Sequence, residues 1–261
     1  FKELIWQKGR ELHRDMPWRD TTDPYYILVS ELMLQQTQVS RVVPKFDEFI
    51  QAFPTLRALA EASLSDVLIV WSGLGYNRRA KFLHASAQMV ISEFGGVIPD
   101  KYDDLIGLPG IGPNTAGAIL AYAFNQPTTF IETNIRTVYF HHFFADKQEV
   151  ADVELKKVIA STLDHEHPRQ WYWALMDYGS YLKTAGSGRL DQSKHYKKQA
   201  PLKGSQREVR GQIIKALAHS DMTEAALKKY IRSDERFVMA LEGLMNDGLV
   251  QRTDSQLHLT K

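Results

Sequence analysis

From its start to about residue 185 the chain repeats one pattern: apolar positions three and four residues apart, interrupted by proline and glycine. The segments Ile27–Val39, Val42–Phe53, Leu56–Glu61, Ser63–Trp71 and Arg79–Phe94 each read as a helix. Pro24, Pro54, Gly73, Gly75, Gly95-Gly96 and Pro99 fall between them. Breaks as short as Phe53-Pro54-Thr55 favour helices packed antiparallel. No run of alternating strand residues occurs before residue 245. The expectation is a mainly α fold.

The pattern changes after residue 185. Residues 186–205 mix glycine, serine, lysine and Pro201 and read as a basic linker. Gln206–His219, Thr223–Tyr230 and Glu235–Asn246 then read as three short helices, with Thr223 and Asp234 as N-caps. Gly248 ends the third, and Leu249–Arg252 can pair with Gln256–Leu259 around Thr253-Asp254-Ser255. Residues 206–261 are therefore expected to form a winged-helix-like module. Modules of this kind bind DNA or protein, and the pattern does not choose between them. Net charge is only +1, but from Lys183 to Lys215 the basic residues far outnumber Asp191 and Glu208. Such a stretch is either a phosphate-facing surface or a solvated linker.

The chain contains no cysteine. That removes a disulfide scaffold, a thiol nucleophile, an iron–sulfur cluster and cysteine-ligated zinc. No apolar run approaches the roughly 20 residues that span a bilayer, and no charged-then-apolar leader opens the sequence. The expectation is a cytoplasmic, nucleoid-associated protein that does not enter a membrane. His141-His142 and His165-Glu166-His167 have spacings that suggest metal ligands, but neighbouring helical positions face apart and ordinary histidines are favoured. Trp171-Tyr172-Trp173 reads as core packing.

Three motifs carry chemistry. Leu108-Pro109-Gly110-Ile111-Gly112-Pro113-Asn114-Thr115-Ala116-Gly117 is a tight glycine turn between helices. Gly110 and Gly112 allow backbone conformations that side chains block, and the N–H groups opening the next helix can hold a phosphate. A lone Gly-x-Gly would be an ordinary turn; the whole string, running into the small-residue helix Thr115–Ala123, says more. In Ser30-Glu31-Leu32-Met33-Leu34-Gln35-Gln36, Glu31 interrupts a strongly apolar helix. A carboxylate there is held by partners or is functional, and desolvation favours its protonated form. Phe130-Ile131-Glu132-Thr133-Asn134 again places an acid after an apolar run. One proton donor and one fixed anion are what cleavage of a glycosidic bond requires.

With Pro17-Trp18-Arg19, Gly73-Leu74-Gly75-Tyr76 and Ala174-Leu175-Met176-Asp177-Tyr178-Gly179 added, the chain resembles the helix-hairpin-helix DNA glycosylase superfamily (HhH-GPD) over about residues 5–185. Within it the resemblance is to the adenine DNA glycosylases (MutY). It implies a two-lobed helical glycosylase, with a six-helix-barrel lobe at about 24–130 and a second lobe from 1–23 and 131–185. It implies Glu31 as the acid that protonates the base and Glu132 as the carboxylate that stabilises an oxocarbenium-like sugar. Asn134 would help hold the DNA backbone, and Gln36 would enter the helix at the flipped base. Leu74 and Tyr76 would wedge near the partner base, while Trp18, Arg19 and Asp177 line the base pocket. Gly110, Gly112 and Asn114 belong to the DNA-binding hairpin, whose carbonyls at Ile106, Leu108 and Ile111 would hold Na+ or K+.

Four departures shape the expectation. The family's cluster-ligating cysteines are absent, with Lys183 standing where the first would be, so no cluster is expected and Lys194–Lys203 would replace its DNA-contacting loop. Glu132 replaces an aspartate, a shift of roughly an ångström that can cost about 10²-fold in rate. Asn114 stands where bifunctional relatives carry a lysine nucleophile, which implies a monofunctional glycosylase. Residues 206–261 do not resemble the Nudix-like domain with which the family checks for 8-oxoguanine. The expected partner is duplex DNA bearing a mispaired or oxidised base, bound by a monomer whose C-terminal module is open to a protein partner. Excision of thymine or uracil from mismatches, or DNA binding without catalysis, are the rival readings.

Overall fold

The computed structural model describes residues 1–194, 201–232 and 234–261. Residues 195–200, the middle of the basic stretch expected to replace the cluster's loop, lie outside the described residues. In chain order the helices are α1 (Lys2–Glu11), α2 (Pro24–Leu34), α3 (Val39–Ala52), α4 (Leu56–Glu61), α5 (Leu64–Trp71), α6 (Arg78–Glu93), α7 (Tyr102–Gly107), α8 (Pro113–Phe124), α9 (Thr133–Phe143), α10 (Asp152–Thr162) and α11 (Pro168–Thr184). After them come α12 (Gln206–Leu217), β1 (Met222–Thr223), α13 (Glu224–Tyr230), α14 (Arg236–Asn246), β2 (Val250–Thr253) and β3 (Gln256–Leu259). The protein is mainly α, as the periodicity requires.

Local chemistry sets the boundaries. Thr55 and Ser63 cap α4 and α5 by accepting the N–H groups of Ala58 and Asp66. Thr223 caps α13 through the N–H of Ala226, as expected. Asp234 is not the N-cap of α14; Glu235 holds that position, although the Asp234 carboxylate accepts the Arg236 N–H at 3.0 Å. One further expectation fails: α2 ends at Leu34 rather than running to Val39, and Gln36 beyond it adopts φ +56°. The strand β1, which precedes residue 245 and pairs with β3, is two residues long and leaves no alternating run in the sequence.

Contacts divide the chain into two compact units. Unit 1 contains residues 1–27, 100–107 and 111–198. Its centre is α11, whose Trp171, Tyr172, Leu175 and Leu182 are buried, and which packs on α9 and α1. The approach to α9 is so close that a Cβ on Gly179 would sit 2.1 Å from the Asn134 carbonyl oxygen. Only glycine fits there.

Unit 2 contains residues 28–99, 108–110 and 199–261. Leu28, Leu32, Phe49, Leu59, Val67, Trp71 and Leu83 are buried in it. So are Ile213, Phe237, Leu244, Leu249 and Leu257 of the C-terminal segment. There α12 packs on α14, and the antiparallel sheet runs β1-β3-β2 with Met222 opposite Leu257 and Val250 opposite Leu259. α12 and β3 also pack on α5, so this segment shares a unit with residues 28–99.

Candidate active site and DNA-binding elements

Within unit 2, Glu31 is half-buried on α2, flanked by the buried Ser30, Leu32 and Met33. The helix end that follows is held by a residue sequence reasoning missed. Arg79, 6% exposed, donates to the carbonyls of Leu32, Met33 and Gln35 at 2.8, 2.7 and 2.7 Å. It also reaches the Thr37 hydroxyl and the Gly75 carbonyl, each at 3.0 Å. One guanidinium thus satisfies the carbonyls that a helix C-terminus leaves open and ties them to the Gly73–Tyr76 loop. Burial pushes its pKa down to about 10, so it stays cationic at neutral pH. A signal existed: residues 79, 83, 86 and 90 share the inner face of α6, and Arg79 is the charged one among them.

The turn so held presents Gln36, which is exposed. Tyr76 also has a left-handed backbone, φ +49°. Its ring lies under the Arg79 guanidinium at 5.5 Å, and its hydroxyl accepts a hydrogen bond from Arg207 at 2.7 Å. Leu74 is 3% exposed, its side chain turned into the unit.

The glycine turn joins α7 to α8. Gly110 has φ +78°, and a Cβ on it would lie 2.7 Å from the Phe82 Cβ. The Pro109 carbonyl accepts the Ser86 hydroxyl at 2.7 Å, so α6 fixes this half of the turn. Gly112 is the N-cap of α8 and Pro113 its first residue, a combination suited to exposing backbone N–H groups at a helix start. Ile106 is exposed, Leu108 and Ile111 buried. The Asn114 side-chain oxygen accepts the Ile131 N–H at 3.1 Å, which anchors the segment leading to Glu132.

Within unit 1, Glu132 is the N-cap of α9 and its carboxylate accepts the Asn134 N–H at 2.6 Å. Burial pushes this carboxyl up from the usual range; that backbone bond and the Lys183 ammonium oppose the rise. Lys183 donates to the Asn134 side-chain oxygen at 3.2 Å. Asp177, 2% exposed, binds both nitrogens of Arg19 at 2.8 and 3.0 Å, and Arg14 at 2.7 Å. The Arg19 guanidinium lies over Trp173 at 5.5 Å, and Trp18 is buried beside it in sequence. Arg14 was not foreseen, because its partner is 163 residues away. Of the histidines, His142 shares a hydrogen bond with the Tyr178 hydroxyl at 3.0 Å. Among the described residues no group of three His, Asp or Glu could hold a metal ion, and no helix is long and apolar enough to cross a membrane.

The model for "HhH-GPD superfamily base excision DNA repair protein" matches residues 29–160. The chain belongs to this superfamily. It is a DNA glycosylase with the HhH-GPD fold. The adenine DNA glycosylase of Mycobacterium tuberculosis is 34% identical over 92% of this chain and 87% of that one. That of Mycolicibacterium smegmatis is 35% identical over 92% and 89%. The chain spans about half of the adenine DNA glycosylase of Buchnera aphidicola subsp. Baizongia pistaciae, matching 48% of it at 36% identity. Among solved structures, a thermostable thymine-DNA glycosylase matches with TM-score 0.62 and 25% identity, over 69% of this chain and 84% of that one. Endonuclease III trapped on DNA gives TM-score 0.61 at 18% identity, over 77% and 86%, which speaks for the fold.

Proposed function

We propose that this HhH-GPD glycosylase hydrolyses the N-glycosidic bond of adenine mispaired with 8-oxoguanine or guanine. The observation that carries the reading is the identity to adenine DNA glycosylases along 92% of the chain. The likeness to a thymine-DNA glycosylase supports a second reading, excision of thymine or uracil opposite guanine, at lower identity.

In the proposed mechanism the glycine turn and the basic linker hold phosphates, and the target nucleotide swings out of the duplex. Glu31, protonated on its apolar helix, donates a proton to the base and makes it a leaving group. Glu132, held at the start of α9 by the Asn134 N–H, stabilises the cationic sugar in its anionic form until water adds. Trp18, Arg19 and Asp177 line the base pocket; the Arg19–Asp177 pair is rigid enough to serve as a wall. Gln36 and Tyr76 meet the distorted duplex while the buried Leu74 backs their loop instead of wedging, and Asn134 with Lys183 meets the DNA backbone.

No thiolate exists to ligate an iron–sulfur cluster, so the residues do not fit one, and we propose that the enzyme works without it. The backbone carbonyls of Ile106, Leu108 and Ile111 offer the hard oxygen donors an alkali ion takes. Residues 206–261, with helices and strands in the order α12-β1-α13-α14-β2-β3, are proposed to be a winged-helix module appended to the glycosylase lobes. The enzyme is proposed to act as a monomer in the cytoplasm.

Single-turnover reactions on duplexes carrying adenine opposite 8-oxoguanine, adenine opposite guanine, and thymine or uracil opposite guanine test this reading. Adenine should be released, and Glu31→Gln should abolish release while DNA binding persists. Release of thymine or uracil alone would establish the second reading. Addition of borohydride should trap no covalent complex, since Asn114 cannot form a Schiff base.

A further inference from the structure

The loop Gly73–Tyr76 is anchored by cations from two helices of unit 2. From α6, Arg79 donates to the Gly75 carbonyl at 3.0 Å, and the Trp71 indole N–H reaches the same oxygen at 3.2 Å. From α3, Arg41 donates to the Gly73 carbonyl, and Lys45 donates to the Val70 carbonyl at 3.2 Å. Arg41 and Lys45 are four residues apart and share one face of α3. Gly73 and Gly75 take φ of +100° and +74°, so the anchored carbonyls belong to backbone that has left the helical path.

The two cations of α3 are differently placed. Lys45 is half-buried, and its ammonium pairs with Glu48 at 2.7 Å. Arg41 is exposed, and among the described residues its hydrogen bond goes to a neutral carbonyl and no carboxylate pairs with it. Most N–H donors of its guanidinium therefore face solvent. Its charge is also unfavourably set. It lies in the first turn of α3, a turn without an acid, where the helix dipole disfavours a cation. Arg79 is near enough to feel it: burial first, and the Arg41 charge as well, hold the Arg79 pKa down. Local rules broken in this way, with no compensating partner in the fold, mark positions kept for function. An anion would relieve the repulsion, and a planar guanidinium fork matches phosphate oxygens.

We propose that Arg41 grips a backbone phosphate of the duplex while it holds the Gly73 carbonyl, and so sets the Gly73–Tyr76 loop against the DNA. One edge of the fork keeps the carbonyl and the other takes the phosphate. Arg41 is thus a phosphate ligand and, through the loop, a positioning residue for the distortion that frees the target base. Phosphate contacts fix register in this way without reading sequence. Lys45, its charge already paired with Glu48, braces the end of α5 and adds little to DNA affinity. The inference rests on the reading above that Tyr76 meets the distorted duplex.

The test uses the full chain and a duplex that needs no chemistry: a tetrahydrofuran abasic analogue opposite guanine, with 2-aminopurine in the neighbouring step. Affinity is read by fluorescence anisotropy over a series of salt concentrations, and unstacking by 2-aminopurine fluorescence at saturating protein. Each phosphate contact contributes about 0.9 to the slope of log affinity against log salt. Arg41→Gln should flatten that slope by about 0.9 and lower the 2-aminopurine signal even when all the DNA is bound. Arg41→Lys keeps the charge without the fork, so the slope should hold while the signal falls. This second variant keeps the inference open to refutation even if Arg41→Gln misfolds. Lys45→Met should leave the slope unchanged. An unchanged slope in Arg41→Gln, an equal flattening in Lys45→Met, or a signal at saturation that neither Arg41 variant alters would overturn the inference. Adenine release by the unaltered chain is measured separately. Its failure, with the slope change intact, would strike the proposed substrate and leave the phosphate contact standing.

Discussion

Glu132 is under two opposed influences. Burial raises its pKa, and the Asn134 N–H and the Lys183 ammonium pull it back. Since the proposed role needs the anion, activity should rise with pH through that raised value, placing the acid limb above the ordinary carboxylate range. Removing Lys183 removes a cation that favours the charged form. Lys183→Gln should therefore move the acid limb of the single-turnover pH profile to higher pH; an unmoved limb would mean that another group sets it. At this scale the sequence was informative about acids and silent about their partners. Glu31 and Glu132 stand out because each follows or interrupts an apolar run, where a charge is expensive. Arg14 and Lys183 gave no such signal, because Asp177 and Asn134 reach them only after α11 has packed against α1 and α9.

Helices were legible to within a few residues wherever proline, a capping hydroxyl or a glycine marks the end, as at α4, α5 and α8. The end of α2 was not, because what stops it is a side chain from α6. Arg79 reaches the carbonyls of Leu32, Met33 and Gln35 and fixes the turn that carries Gln36. Replacing it leaves buried carbonyls unsatisfied, at about 1–3 kcal/mol per lost partner. Arg79→Met should cost roughly 3 kcal/mol or more in denaturant unfolding, and base release should fall further than stability explains because the Gln36 turn is released. Arg79→Lys, which keeps the charge but not the fork, should recover only part of either loss. Equal stability of Arg79→Met and the unaltered chain would show that water replaces the guanidinium. The two-residue strand β1 was invisible for another reason: its pairing depends on β3, more than thirty residues later.

For the whole molecule, the sequence pattern separates residues 206–261 as a module, whereas contacts place residues 199–261 in one unit with 28–99. Patterning marks elements; it does not show that α12 and β3 pack on α5. A chain cut after residue 198 should therefore lose stability in unit 2, seen by calorimetry as a lower and broader transition with exposed apolar surface that binds a hydrophobic dye. A transition at the original temperature would mean that residues 28–99 are self-sufficient. The interleaved path also bears on how the protein is made. Residues 28–99 leave the ribosome first, yet the segment that completes their unit follows roughly a hundred residues later. At about 5–20 residues per second that is a wait of roughly 5 to 20 seconds, with an apolar helical surface uncovered. Unit 1 is finished by residue 198 while its neighbour is still half-built. In the cell this glycosylase is expected to be a chaperone client early in translation, and a stop codon late in its message should be more damaging than the small size of the lost segment suggests.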